Sequence, residues 1–266
     1  MVMSGRPDRP VEVPWVVLGL AAGRPVTPVW VNELGGTTFE VGRGPQRCFV
    51  KWSPAGTGLP SMAGEVARLR WAARFTPVPA VLAHDRDDQG EWLVTRPLPG
   101  SNAVEPRWVA DPATAVRAVG AGLRALHEAL PARECPFSWS VPDRVASAFN
   151  RAAQLDPARW NPVHRALSVP AALDMIGRPP PVDRLVVCHG DACAPNTLLA
   201  ADGRWTGHVD LGALGVADRW ADLAIATWST EWNYGPGWDG PLLAAYGVVP
   251  DPARIAYYRL LWDLGP

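Results

Sequence analysis

Lysine is almost missing from this chain. Of its 25 Lys and Arg residues, Lys51 alone is a lysine. With 29 Pro and 25 Gly, this composition reads as codon drift toward G and C, which turns Lys into Arg wherever Arg will serve. Net charge is nearly missing too, at −1, which argues against a nucleic-acid partner, since such partners call for a basic surface. Cysteine is sparse: Cys48, Cys135, Cys188 and Cys193 do not form the framework of a disulfide-stapled secreted domain. No long apolar run is present either. Trp15 to Ala22, the apolar stretch after a polar, Pro-rich start, is too short to span a bilayer and lacks signal-peptide layout. A cytoplasmic enzyme without a membrane partner is the expectation. The 48% hydrophobic and 19% charged residues exclude a disordered chain and leave enough apolar matter for a sizeable core.

Lys51 therefore survived a pressure that replaced its kind. Arg does not substitute for Lys where a compact point charge must reach a phosphate from a confined site. Its surroundings, Arg47 to Trp52, read as a strand with Cys48, Val50 and Trp52 on one face and Phe49 and Lys51 on the other. Val29 to Val41 reads as two strand fragments around Gly35-Gly36. A helix is predicted over Ser61 to Phe75, with Glu65 in its first turns, and a strand over Trp92 to Thr95. Arg96-Pro97-Leu98-Pro99-Gly100 then breaks regular structure. Beyond it the pattern turns helical over Pro112 to Leu130, with short helices and loops to Pro181. Leu185 to Cys188 reads as a buried strand, and Asp218 to Thr230 and Pro252 to Leu261 as closing helices. Strands first and helices later predict an α+β protein with a boundary near residues 96–100.

The densest polar signal is Cys188-His189-Gly190-Asp191, followed by Asn196 and then Asp210. Asp202-Gly203 between two apolar runs predicts a hairpin. That turn brings Asn196 and Asp210 nearly opposite each other at the open end, with Asp191 in the loop before it. Grouped hard oxygen donors suit Mg²⁺. Phosphoryl transfer needs this set: a carboxylate for the hydroxyl proton, metal ligands, and a Lys on the phosphates. Asp191 is the candidate base, Asn196 and Asp210 the candidate metal ligands, Lys51 the phosphate clamp, and Glu65 its partner. The rival soft-ligand metal site at Cys188, His189 and Cys193 lacks a second Cys/His pair at zinc spacing.

His189-Gly190-Asp191 with Asn196 resembles the catalytic loop of kinases in the His-Gly-Asp form of the aminoglycoside phosphotransferases. Gly207 to Asp210 is similar to their metal-binding segment, and the run from Leu211 to Ala224 to the stretch that follows it. The resemblance extends to Gly64-Glu65, Trp92 to Thr95, Cys135 to Phe137 and Ala256 to Leu261. It implies a bilobal protein-kinase-like fold, with a small antiparallel-sheet N-lobe over residues 1–96 and a larger, mainly helical C-lobe over 97–266. It also implies ATP or GTP as donor, with Mg²⁺, and an antibiotic sugar hydroxyl as acceptor. Nucleotide contacts fall on Gly35, Thr95 and Pro97 besides Lys51 and Glu65. His189, Arg219 and Asp222 fall where relatives support the catalytic loop. On the substrate side, Glu231, Trp232 and Asp263 occupy the acceptor positions.

Three departures from the family's pattern stand out. Leu34-Gly35 replaces the usual Ser-Gly of the phosphate loop, and Pro97 removes a hinge N–H. An acidic pair of the relatives is replaced by Trp232 and Asn233. Trp228, Trp232, Tyr234 and Trp238 suit ring stacking better than several ammonium groups. A nucleoside antibiotic of the capuramycin type is therefore the alternative acceptor. A non-catalytic drug-binding module and a kinase for choline or a free sugar are further alternatives.

Overall fold

A computed structural model describes residues 5–32, 34–58 and 60–265; the first four residues of the polar start and the terminal Pro266 lie outside them. The chain divides into two compact units, residues 1–98 and 99–266.

The first unit is built on a five-stranded antiparallel sheet of order β1-β2-β3-β5-β4. Helix α1 (Trp15–Ala21) precedes β1 (Val26–Val31), β2 (Thr37–Val41) and β3 (Cys48–Pro54). Helix α2 (Met62–Ala72), β4 (Ala80–Arg86) and β5 (Gly90–Arg96) follow. The apolar stretch that opens the chain is α1, whose Val16, Val17 and Ala21 seal one face of the sheet against Phe39, Val41, Cys48, Val50 and Val94. Period-two alternation on β3 holds: Cys48 and Val50 enter this core, and Trp52 packs at its edge. Lys51 is thereby on the opposite face. Ser61 caps α2 by accepting the Ala63 N–H at 3.2 Å. The helix buries Val66, Leu69 and Ala72, a three-residue spacing that makes one stripe. It ends earlier than its apolar pattern predicts, because Phe75 and Thr76 close onto Ala72 in a turn.

The second unit opens with β6 (Ser101–Asn102), α3 (Pro106–Val109), α4 (Pro112–Ala129), α5 (Val141–Asn150) and α6 (Val169–Ile176). Then come β7 (Leu185–Cys188), β8 (Thr197–Leu199), β9 (Trp205–His208) and β10 (Gly215–Asp218). Helices α7 (Trp220–Tyr234), α8 (Asp239–Tyr246) and α9 (Pro252–Asp263) close the chain. Asp111 caps α4 through the Thr114 N–H at 3.2 Å, with Pro112 in the first turn, where its missing N–H costs nothing. At Gly120, α4 meets α8 backbone to backbone; a Cβ there would lie 2.5 Å from the Leu242 carbonyl oxygen. Helix α7 is the centre of the unit. Every residue from Trp220 to Thr230 on it is buried, and each large apolar one, such as Leu223 or Ile225, contributes about 1.5–3 kcal/mol. No helix among the described residues is long and apolar enough to cross a membrane.

Candidate active site

Strand β7 pairs antiparallel with β10 and delivers His189 to Asn196 as a loop. Gly190 has φ +84°, and a Cβ on it would sit 2.3 Å from the Ala213 carbonyl oxygen. Only glycine fits there. The Asp191 N–H donates to His189 Nδ1 at 3.2 Å, so His189 carries its proton on Nε2, which donates to the Val209 carbonyl at 2.9 Å. The imidazole thus ties the loop to the end of the β9 strand. Ala194 to Asn196 form a single 3₁₀ turn with Pro195 at its centre, closed by the Asn196 N–H onto the Cys193 carbonyl at 2.9 Å. From that turn Asn196 Nδ2 reaches Asp191 Oδ2 at 3.1 Å and the Asp191 carbonyl at 3.0 Å.

With Nδ2 so used, the carboxamide of Asn196 presents Oδ1 as its remaining acceptor. Asp191 Oδ1 is buried and has no hydrogen-bond partner among the described residues. Burial raises the Asp191 carboxyl above its ordinary pKa, and the neighbouring Asp210 carboxylate adds to the shift. The Asp202-Gly203 turn forms as its residue types demand, with Gly203 at φ +82° and the Ala200 N–H on the Arg204 carbonyl at 2.8 Å. The β8–β9 ladder pairs Thr197 with His208 and is prolonged by the Val209 N–H on the Asn196 carbonyl at 3.0 Å. Asp210 comes next, with φ +64°. A non-glycine residue in that region is uncommon, and Asp is among those that tolerate it.

Beneath the loop lies Asp222, buried on α7. Its Oδ2 accepts the His189 N–H at 2.5 Å and His127 Nε2 at 2.9 Å, and its Oδ1 accepts the Gly190 N–H at 2.9 Å. Burial alone would raise its pKa; the bond from His127, that imidazole's field and the backbone donors outweigh it and hold the group below its ordinary value. His127 Nδ1 is in turn bonded to Tyr246 Oη at 2.8 Å. Ligand atoms of His127, Cys188 and Asp222 lie within 4.8 Å of one another, but they are not a metal site. Both Asp222 oxygens are engaged, and burial pushes the Cys188 thiol well up, so it stays protonated and donates to the Asp218 carbonyl at 3.4 Å. Arg219 lies at the start of α7 and pairs with Asp183 at 2.7 Å, which ties α7 to the segment ahead of β7 rather than to the loop itself.

In the sheet-bearing unit, Lys51 Nζ lies 2.7 Å and 2.9 Å from the two oxygens of Glu65. Gly35, at φ +86°, sits in the β1–β2 turn. Asn32 shapes that turn: its Oδ1 accepts the N–H groups of Leu34 at 3.0 Å and Gly36 at 2.8 Å. Thr95 pairs with Phe49 across β5 and β3, and Pro97 follows directly after β5.

Of the residues expected to meet the acceptor, Glu231 and Trp232 lie in the last turns of α7, and Trp232 is 50% exposed. Asp263, at the end of α9, accepts His164 Nδ1 at 2.5 Å and the Asn161 N–H at 3.1 Å. The aromatic cluster is not one wall. Trp228 is 2% exposed, and the Tyr234 hydroxyl turns to the Ala103 carbonyl at 2.7 Å.

Residues 32–258 match the model of the phosphotransferase enzyme family. The chain is 38% identical over 218 residues to an aminoglycoside 3′-phosphotransferase of Streptomyces fradiae, covering 75% of this chain and 78% of that one. It is 33% identical to a streptomycin 3″-kinase of Streptomyces griseus, over 86% and 88% of the two chains. Among solved structures, an aminoglycoside-3′-phosphotransferase of type VIII superposes with TM-score 0.77 at 30% identity, over 91% of this chain and 94% of that one. Aminoglycoside phosphotransferase APH(3″)-Id from Streptomyces rimosus, in complex with ADP and streptomycin, gives TM-score 0.72 at 26% identity, over 94% and 97%. The chain belongs to the phosphotransferase enzyme family. Its α+β architecture is the protein-kinase-like one of these relatives.

Several groups of this phosphotransferase carry no signal in its sequence. His127 is one, since its partner Asp222 lies 95 residues away. Ser229 is another: its Oγ accepts the Ala194 N–H at 2.8 Å, which fastens the middle of the loop from His189 to Asn196 to α7. Glu91 is a third. One of its oxygens accepts from His84 at 2.7 Å, from the Ser61 hydroxyl at 2.9 Å and from the Ala63 N–H at 3.2 Å, so β5 holds the start of α2. A capping-residue scan would have flagged Ser61 and Asn32; nothing local flags the other three.

Proposed function

We propose that this phosphotransferase moves the γ-phosphoryl group of ATP or GTP onto a sugar hydroxyl of an antibiotic, and so inactivates it, in the cytoplasm. The observation that carries the reading is the Asp191 carboxylate, clamped through Oδ2 by Asn196 and left with Oδ1 as a buried acceptor. An unengaged buried carboxylate oxygen is costly to keep, and an arriving hydroxyl is the donor it lacks. Asp191 accepts and orients that proton as the phosphoryl group transfers. The raised pKa fits a base that must take up a proton and give it back.

Asn196 Oδ1 and the Asp210 carboxylate are hard oxygen donors at the open end of one hairpin, which fits Mg²⁺. When bound, the ion neutralises charge on the β- and γ-phosphates. The unit that carries β3 supplies Lys51, oriented by Glu65, to hold phosphate oxygens. Gly35 lets the β1–β2 backbone come close to phosphates; the Thr95 carbonyl accepts from the purine, while Pro97, lacking an N–H, leaves the base one donor short. The relatives' named activities, aminoglycoside 3′-phosphotransferase and streptomycin 3″-kinase, support an antibiotic acceptor. The test is a panel of antibiotics incubated with enzyme, Mg²⁺ and ATP or GTP, read by mass spectrometry. A mass gain of one phosphoryl group on a panel member is expected; nucleotide binding without any such product would reject the reading.

A further inference from the structure

The first turn of α2 carries Glu65, and little of the core holds that turn. The helix buries Val66, Leu69 and Ala72, all beyond Glu65, while Ser61, Met62, Ala63 and Gly64 stay partly or fully exposed. Gly64 weakens the turn, since glycine is the poorest helix former after proline. The chain ahead bends through Gly56 and Gly58, both at positive φ, and offers no regular structure to steady it. What fastens the turn is a carboxylate on the sheet. Glu91 Oε1 accepts the Ser61 hydroxyl at 2.9 Å and the Ala63 N–H at 3.2 Å, and is bonded to His84 Nε2 of β4 at 2.7 Å.

Register puts this anchor beside Lys51. Across β3 and β5, Lys51 faces Leu93 and Ser53 faces Glu91; across β4 and β5, His84 faces Leu93. Side chains opposite each other share a sheet face, so Lys51, Glu91 and His84 rise from one face, the one to which α2 is bonded. Glu91 is the diagonal neighbour of Lys51, about 7–8 Å away by strand geometry. Ser61 and Glu65 are about 6 Å apart along a helix axis. The two spacings match. The sheet therefore grips one helical turn at both ends, Glu91 at the cap and Lys51 at Glu65. Burial alone would raise the Glu91 carboxyl; the bonds from His84 and Ser61 outweigh it and hold the group below its ordinary value. The anchor is an anion at a helix N-terminus, where the dipole favours it.

We infer that Glu91 is a positioning residue for nucleotide binding: by fixing Ser61 and the Ala63 N–H, it sets the turn that presents Glu65 to Lys51. The inference rests on the reading of Lys51 as the phosphate clamp. Without Glu91, the two donors at the start of α2 turn to water, and Glu65 rides on a turn with no anchor. Lys51 is then held less of the time where phosphate oxygens need it. The cost falls on nucleotide affinity, through a residue that takes no part in the clamp itself.

The experiment is a double-mutant cycle on the intact enzyme, read as Mg²⁺–ADP affinity by calorimetry. Glu91→Ala should weaken ADP about tenfold, the loss typical of one hydrogen bond to a charged group. Ser61→Ala should weaken it by less, and Ser61→Thr, which keeps the hydroxyl, should match the parent. Glu65→Ala should weaken ADP at least as much as Glu91→Ala. Adding Glu91→Ala to Glu65→Ala should then cost less than about threefold more, because a residue acting through Glu65 has nothing left to position. A merely structural role would not show this coupling. If Glu91→Ala binds ADP as the parent does, or if its loss multiplies in full with that of Glu65→Ala, the inference falls while the clamp stands. If Glu65→Ala itself leaves ADP affinity unchanged, the clamp reading falls and takes the inference with it. Should Glu91→Ala fail to fold, Ser61→Ala alone and combined with Glu65→Ala carries the same test with the same outcomes.

Discussion

Asn196 donates to Asp191 twice, at 3.1 Å to the carboxylate and at 3.0 Å to the backbone carbonyl. The proposed metal ligand therefore also fixes the rotamer of the proposed base. Asp191→Asn keeps the size of that side chain and removes its capacity to take a proton. It should lower kcat by about 10²–10⁴-fold, the range of general-base loss, while ADP binding by calorimetry is retained. Turnover at the parent rate would reject Asp191 as the base.

Lys51→Arg retains charge but replaces a compact ammonium with a broad planar fork. Held between both oxygens of Glu65 at 2.7 Å and 2.9 Å, the fork cannot keep the same reach. A fall in kcat/KM of at least about tenfold is expected from steady-state kinetics. Glu65→Gln should lower it too, with Lys51 unchanged. A fully active Lys51→Arg enzyme would make the surviving lysine an accident of history.

Asp222 holds three donors in a buried site. Removing it by Asp222→Ala leaves two backbone N–H groups and His127 Nε2 without their partner. A loss of about 3–5 kcal/mol in urea unfolding is expected, the cost of breaking a buried charged network. His127→Phe removes one of the three and should cost less. An unaltered unfolding midpoint for Asp222→Ala would show that water replaces the carboxylate at no cost.

Stability should fall as pH is lowered into the carboxylate range. Glu91 and Asp222 both titrate below their ordinary values: burial opposes this in each, but bonds from His84 and Ser61, and from His127, prevail. A depressed folded-state pKa means that the unfolded chain binds protons first. The contribution is whole above the unfolded value and is lost as pH falls through the folded one. Thermal unfolding followed over that range should show a falling midpoint, and His84→Ala should flatten part of the slope. A midpoint rising on acidification would contradict the sign.

β2, β3, β5, β7 and the hairpin were legible because their signals are local, whereas Asp218, expected to open a helix, ends β10 and α7 starts at Trp220. Leu185 to Cys188 is bounded as its apolar run says, and Asp202-Gly203 turns as its residue types require. β4 was not legible: Ala80 to Arg86 lies at the sheet edge with most residues exposed, so no alternation marks it. α1 reads as an apolar run without polar punctuation, which periodicity does not resolve. Long-range pairs were the main loss. His127 with Asp222, His164 with Asp263 and Tyr234 with Ala103 span from 95 to 131 residues, and each depends on helix packing that no short motif encodes. The aromatic cluster near α7 was visible as composition, but which ring is buried and which is open follows only from the helix's orientation.

A chain with one ε-amine has a chemical consequence. Acylating or carbamylating reagents that seek side-chain amines find a single address, the β3 residue clasped by Glu65. Stoichiometric derivatisation would label one internal peptide of the digest besides the N-terminal α-amine, and occupancy of that internal peptide would report nucleotide protection directly, with no background from surface lysines.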